Sequence, residues 1–276
     1  MSSRYSPTVY AGCMSSSADE PSPGKPGDGF AASDGREAAE GSSITAFIAW
    51  LVLVPSVLLA PLSAALYVMV RRTESYMPWD GWNLAWTAFD IGEEGNVAVW
   101  IASTLWLFLA AFAALAAVTA QRFRKSWWLF AAVSALASAD EAGQLHEKLF
   151  VVGDRLAPYV PLDLHYNWVI PGTILALVVG ALLMRMVLAL RRPIMFSLIG
   201  AGGLFLLGAV VVETLTGYVH RREGLTDLYV TLTYVEESFE LIGVAWAVIA
   251  LAAMFRVARH PGGMSVAFRG FREPTA

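Results

Sequence analysis

The segment Ser138-Ala-Asp-Glu-Ala-Gly-Gln-Leu-His-Glu sets Asp140, Glu141, His146 and Glu147 in an otherwise apolar stretch of chain. Further along, Glu213 is followed by His220, and Glu236, Glu237 and Glu240 fall together. Carboxylates in apolar surroundings do not stay bare, because an unpaired buried charge is prohibitive. Nearby cations are few: Lys148, Arg221 and Arg222 stand at the edges of these segments. Two chemistries answer that shortage. A divalent metal neutralises several carboxylates at once, or the acids carry protons. Carboxylate oxygens combined with imidazole nitrogens suit Fe, Mn or Zn. The metal reading assigns Asp140, Glu147, Glu213, His220, Glu236 and Glu240 as ligands, with His146 and Glu141 as acid–base groups.

The elements that carry these residues are read from composition. Of 276 residues, 57% are hydrophobic and 15% charged, with a mean hydropathy of +0.55. Soluble chains are nearer about 45–50% and about 25%. The net charge of −4 and pI near 5.6 leave no basic footprint for nucleic acid. Cys13 is the single cysteine, so no internal disulfide forms. Residues 1–43, rich in Ser, Gly, Pro and Asp, predict a disordered tail.

Six apolar blocks follow, over about 45–70, 96–120, 127–149, 168–190, 194–219 and 228–256, each near the roughly 20 residues that cross a bilayer as a helix. The expected fold is an all-α integral membrane protein, a six-helix bundle over 44–260, with a cytoplasmic tail over 261–276. Trp79, Trp82 and Trp86, in the longest connection, read as an interfacial segment. Lys and Arg are more numerous on the side holding Arg122, Arg124, Lys125, Arg191 and Arg192, which predicts both termini in the cytoplasm of an inner (plasma) membrane.

An up-down six-helix path gathers the acids and three of the four histidines at one face. By the helical rise, Asp140 and Glu240 each lie about 20 Å from the opposite boundary. Asp140, Gln144 and Glu147 share one stripe at i, i+4 and i+7, as do Glu213, Gly217 and His220, and Glu236 and Glu240 with Gly243. Glu93 and Glu94 are read as complements to a helix N-terminus. Residues 101–119, 127–137, 172–184, 194–212 and 241–255 contain no ionisable side chain, so a one-sided pocket is expected rather than a conduit.

Four carboxylates with two histidines resemble the ligand set of ferritin-like di-iron bundles, which implies oxidase or hydroxylase chemistry. The Glu-x-x-His spacing of that family does not occur here. Ser138, Asp140, His146, His165 and His220 also resemble the residue types used by alkaline-ceramidase-type membrane zinc hydrolases, which implies lipid hydrolysis. The His-x-x-x-His pair and seventh helix of that superfamily are missing. The sequence therefore predicts a metal-dependent membrane enzyme acting on a lipid or other hydrophobic small-molecule substrate. A proton- or cation-coupled transporter, or an accessory subunit of a membrane complex, is the alternative.

Overall fold

Long runs of Ala, Leu and Val with few turn residues build helices, and the computed structural model is mostly helical. It describes residues 28–160 and 164–272, apart from the side chains of residues 28–43 and 259. The chain divides into two compact units, Met1–Arg36 and Glu37–Ala276, and the bundle belongs to the second. The helices are α1 (Asp28–Thr73), α2 (Gly81–Phe89), α3 (Val97–Thr119), α4 (Arg124–Gly143), α5 (Phe150–Leu156) and α6 (Val169–Leu188). After them come α7 (Arg192–Leu206), a π-helical turn over Leu207–Val212, α8 (Glu213–Glu223) and α9 (Asp227–Ala252). Two strands, β1 (Phe255–His260) and β2 (Gly263–Phe268), finish the order.

Among the described residues, four helices are long and apolar enough to cross a membrane: Ile44–Thr73, Val97–Thr119, Val169–Leu188 and the continuous run Arg192–Glu223. The α4 and α9 helices are not among them: α4 carries Arg124 and Lys125 at its start and Asp140 and Glu141 in its last turn, and α9 carries Asp227, Glu236, Glu237 and Glu240. The core is built on α3 and α9, with α4 packed on α3 and α7 on α9. Ala113, Ala116 and Ala117 of α3 are fully buried and let neighbouring backbones approach closely. Gly243 of α9 works the same way, because a Cβ there would lie 2.9 Å from the Ala201 carbonyl oxygen.

The helix ends explain where the apolar blocks stop. Asn96 caps α3 by accepting from the backbone N–H groups of Ala98 (2.9 Å) and Val99 (3.2 Å). Thr226 caps α9 through Tyr229 N–H. At the far end of α4, Gln144 adopts a left-handed conformation (φ 51°) and stops the helix at Gly143. Ser63 of α1 donates to the Phe89 carbonyl (2.7 Å) and accepts from Ile91 N–H (3.2 Å), which ties α1 to the end of α2.

Four expectations are corrected. Residues 28–43, read as tail, belong to α1; Ala and Glu in Arg-Glu-Ala-Ala-Glu favour helix, and residues 1–27 lie outside the described residues. The third block ends at Gly143 rather than 149, leaving a 3₁₀ turn at Glu147–Leu149 and then α5. The fifth runs on as one helix, Arg192–Glu223, with a π turn over Leu207–Val212 inside it. The chain is not all-α, nor is its C-terminal end a free tail: β1 and β2 pair antiparallel, Phe255 opposite Phe268 and His260 opposite Gly263. This hairpin packs back on the bundle, with the Phe268 ring against Trp127, Phe255 and Phe271. Arg191 N–H donates to the Gly270 carbonyl at 2.9 Å.

Candidate functional site

The turn at Gln144 brings His146 back over the end of α4. Its Nδ1 stands 3.0 Å from Asp140 Oδ2, and its backbone N–H donates to the other carboxylate oxygen. The continuous stripe Asp140, Gln144, Glu147 does not form, because the helix ends at its middle member. Glu147 lies exposed in the 3₁₀ turn instead. Burial disfavours the charged His146 ring, but the hydrogen bond and the charge of Asp140 outweigh it and raise its pKa above the usual histidine value.

Glu213 is the first residue of α8, directly after the π turn, a distortion that re-aims the side chains following it. Its carboxyl is within hydrogen-bonding reach of Glu236 on α9 and of the Trp168 indole N–H. Glu236, 6% exposed, accepts a further hydrogen bond from the Thr216 hydroxyl at 2.8 Å. Close approach permits this: a Cβ on Gly208 would lie 2.8 Å from the Glu236 carbonyl and 2.9 Å from Glu240 Cγ.

One turn later on the same face, the absent side chain of Gly217 leaves room for the Tyr166 ring, which a Cβ would approach to 2.8 Å. The Tyr166 hydroxyl lies 3.0 Å from His220 Nδ1 and near the Tyr229 side chain. His165 stacks edge-on against both Tyr166 and His220, with ring centroids 4.8 Å apart in each case. The exposed His165 has its pKa lowered, first by partial desolvation and then by the neighbouring His220 and Arg221. The loop carrying Tyr166 and Trp168 is seated by Gly153 of α5, where a Cβ would fall 2.2 Å from the Asn167 carbonyl oxygen.

These groups surround a cavity of about 410 Å³. Exposed residues form its rim: Glu94, Glu147, Phe150, Asp154 and His165. Its deeper wall is Trp168, Glu213, Thr216, Tyr229, Glu236 and Glu237. His146, Tyr166 and Thr233 complete most of the remainder. Two narrower clefts share residues with it and with each other. One, of about 40 Å³, touches Glu94, Glu141 and Glu237; the other, of about 10 Å³, is bounded by Trp106, Glu141, Glu237 and Glu240. The last holds about one water. The Trp106 indole donates to Glu141 at 3.1 Å, and nearby Ser103 and Ser138 pair across α3 and α4 at 3.0 Å.

A sequence profile for a domain of unknown function, DUF8692, matches residues 46–255, which takes in every helix from α2 to α9 and every residue of the cavity. The chain belongs to the DUF8692 family. Neither a curated protein nor a solved structure matches it.

In this DUF8692 member the expected site residues divide by place. Glu147, Glu213, Glu236 and His146 line the main cavity, and Asp140 stands behind His146. His220 stands behind Tyr166, while Glu141 and Glu240 belong to the narrow clefts. Among the described residues, no group of three or more His, Cys, Asp or Glu side chains is arranged to hold a metal ion. Glu94 borders the cavity, and the cap of α3 is Asn96 rather than an acid. Sequence reasoning missed Tyr166, Trp168, Thr216 and Tyr229. The only local signal for the first two was an aromatic pair beside His165, in a loop where helical periodicity says nothing.

Proposed function

We propose that this is a six-span protein of the inner (plasma) membrane, with both termini cytoplasmic, that binds a positively charged ligand in a pocket open at the outer face. The spans are α1, α3, α4, α6, the α7–α8 run and α9. At 20 and 26 residues, α4 and α9 are long enough for a hydrocarbon core roughly 30 Å thick. Their acids border internal cavities, which is where intramembrane carboxylates are tolerated.

The observation that carries the reading is the composition of the cavity wall. Six carboxylic acids line it (Glu94, Glu147, Asp154, Glu213, Glu236 and Glu237), and none of its described lining residues is Lys or Arg. With Glu213 and Glu236 sharing a proton, the remaining acids give this low-dielectric cleft a negative potential that attracts cations. A pocket is favoured over a conduit because the clefts end at Glu240 and Val244, and Gly243 between them is packed against Ala201 and Phe205. The metalloenzyme reading draws on the same acids, but has no three-ligand grouping among the described residues to support it.

Thermal unfolding of the purified protein in detergent tests this, with chloride salts of inorganic and organic cations at matched ionic strength. At least one cation should raise the transition temperature, and the Glu213→Gln/Glu237→Gln double variant should lose that response. No stabilisation by any cation would reject the reading.

A further inference from the structure

The carboxyls around the cavity are distributed over its wall rather than gathered on a point, and no three of the described acids and histidines converge as ion ligands. A small inorganic ion is poorly served by that spread. A larger cation with diffuse charge touches several of these groups at once.

Two independent features specify the rest of the ligand. First, the wall is aromatic as well as acidic. The Tyr166 hydroxyl is already held by His220 and lies near the Tyr229 side chain, and the Trp168 indole stands beside the Glu213 carboxyl. With those polar atoms engaged, Tyr166, Trp168 and Tyr229 offer a ligand mainly ring surface, which attracts alkylated cations through the ring quadrupole. The Trp168 ring is itself fixed, packed 4.5 Å from the His146 ring and lying over Gly172, where a Cβ would meet it at 3.1 Å. Second, Glu237 borders the main cavity and both clefts, is partly buried, and has no hydrogen-bond partner among the described residues. The neighbouring acids are engaged: Glu236 by Thr216 and Glu213, and Glu213 by Trp168. A partly buried, unpartnered carboxyl shared by a cavity and two clefts is the group a ligand would satisfy.

We propose that the ligand is an organic ammonium compound, its cationic nitrogen set against Glu237 and the Glu213–Glu236 pair and its alkyl groups against Trp168, Tyr166 and Tyr229. A cavity of about 410 Å³ is within the range that takes a small organic molecule. The inference rests on the cation-binding reading above and narrows its ligand class.

The test is titration of the full-length protein in detergent with tetramethylammonium chloride, with sodium, magnesium and zinc chlorides as comparators. Tryptophan fluorescence and the unfolding temperature are the readouts. Tetramethylammonium should bind and sodium should not. Trp168→Leu and Tyr229→Leu should each weaken binding by about 3- to 30-fold, the range of a cation–ring contact of about 0.5–2 kcal/mol. Tyr229→Phe keeps the ring and should bind as wild type, and Glu237→Gln should weaken binding at least about tenfold. Binding of magnesium or zinc without tetramethylammonium would overturn the ammonium inference and leave the cation pocket standing. No binding of any cation would overturn both. Wild-type tetramethylammonium affinity in folded Glu237→Gln and Tyr229→Leu proteins would overturn the assignment to this cavity.

Discussion

His146 follows Asp140 by six residues, a spacing that puts two side chains on different faces of a regular helix, yet its ring nitrogen lies 3.0 Å from the Asp140 carboxylate. The left-handed Gln144 makes the difference by ending α4 and folding the chain back on its last turn. Two contacts to one carboxylate, from the ring and from the backbone N–H, fix the imidazole at the cavity wall.

The pairing has a pH signature. His146 titrates above the ordinary histidine value, so it stabilises the fold fully below the unfolded value of about 6.5, and that contribution is lost as pH rises through the higher folded value. In an NMR titration of histidine-labelled protein, Asp140→Asn should bring the His146 midpoint down. An unchanged midpoint would mean that Asp140 does not hold the ring.

Thr216 tests whether Glu236 depends on its neighbour across α8 and α9. Both are buried, at 3% and 6% exposure, so losing the hydroxyl leaves an acceptor short of a donor. Thr216→Val should cost about 1–3 kcal/mol, while Thr216→Ser should stay near wild type. Equal unfolding temperatures for the two variants would count against the contact.

Gly153 carries the loop that supplies Tyr166 and Trp168. Gly153→Ala forces a methyl against the Asn167 carbonyl and should destabilise by about 1–3 kcal/mol or more. Gly180→Ala, in the interior of α6 with nothing within 4 Å, should instead stabilise by about 0.5–1 kcal/mol. Thermal unfolding of the two proteins side by side reads the contrast.

The hairpin makes its own prediction. Phe268 is half-buried among Trp127, Phe255 and Phe271, so Phe268→Ala should lose about 2–3 kcal/mol, somewhat less than a fully buried Phe. Met264→Ala, at 65% exposure near the hairpin turn, should change stability by under about 0.5 kcal/mol. A free tail would tolerate both changes alike.

Much of the bundle was legible because helix formation and apolarity are local. Runs such as Val97–Thr119 and Val169–Leu188 announce themselves by length and composition alone. The stripe of Glu213, Gly217 and His220 was legible for a similar reason, since i, i+4 and i+7 stay on one face within α8. The stripe through Asp140 was not, because a single left-handed residue cancels periodicity. The hairpin was hidden too: Phe255–Phe268 alternates weakly, and its anchor is Trp127, far back in the chain.

The sequence by itself determined that apolar helices carry the chain and that acids and histidines crowd toward one end of them, since hydropathy and helical period depend only on near neighbours. Tertiary structure alone decided which of those groups meet. Glu213 faces Glu236, Tyr166 reaches His220, and Glu237 is left without a hydrogen-bond partner among the described residues. Those relations depend on how closely backbones approach at Gly153, Gly208 and Gly217, and so on contacts between segments that no local pattern connects.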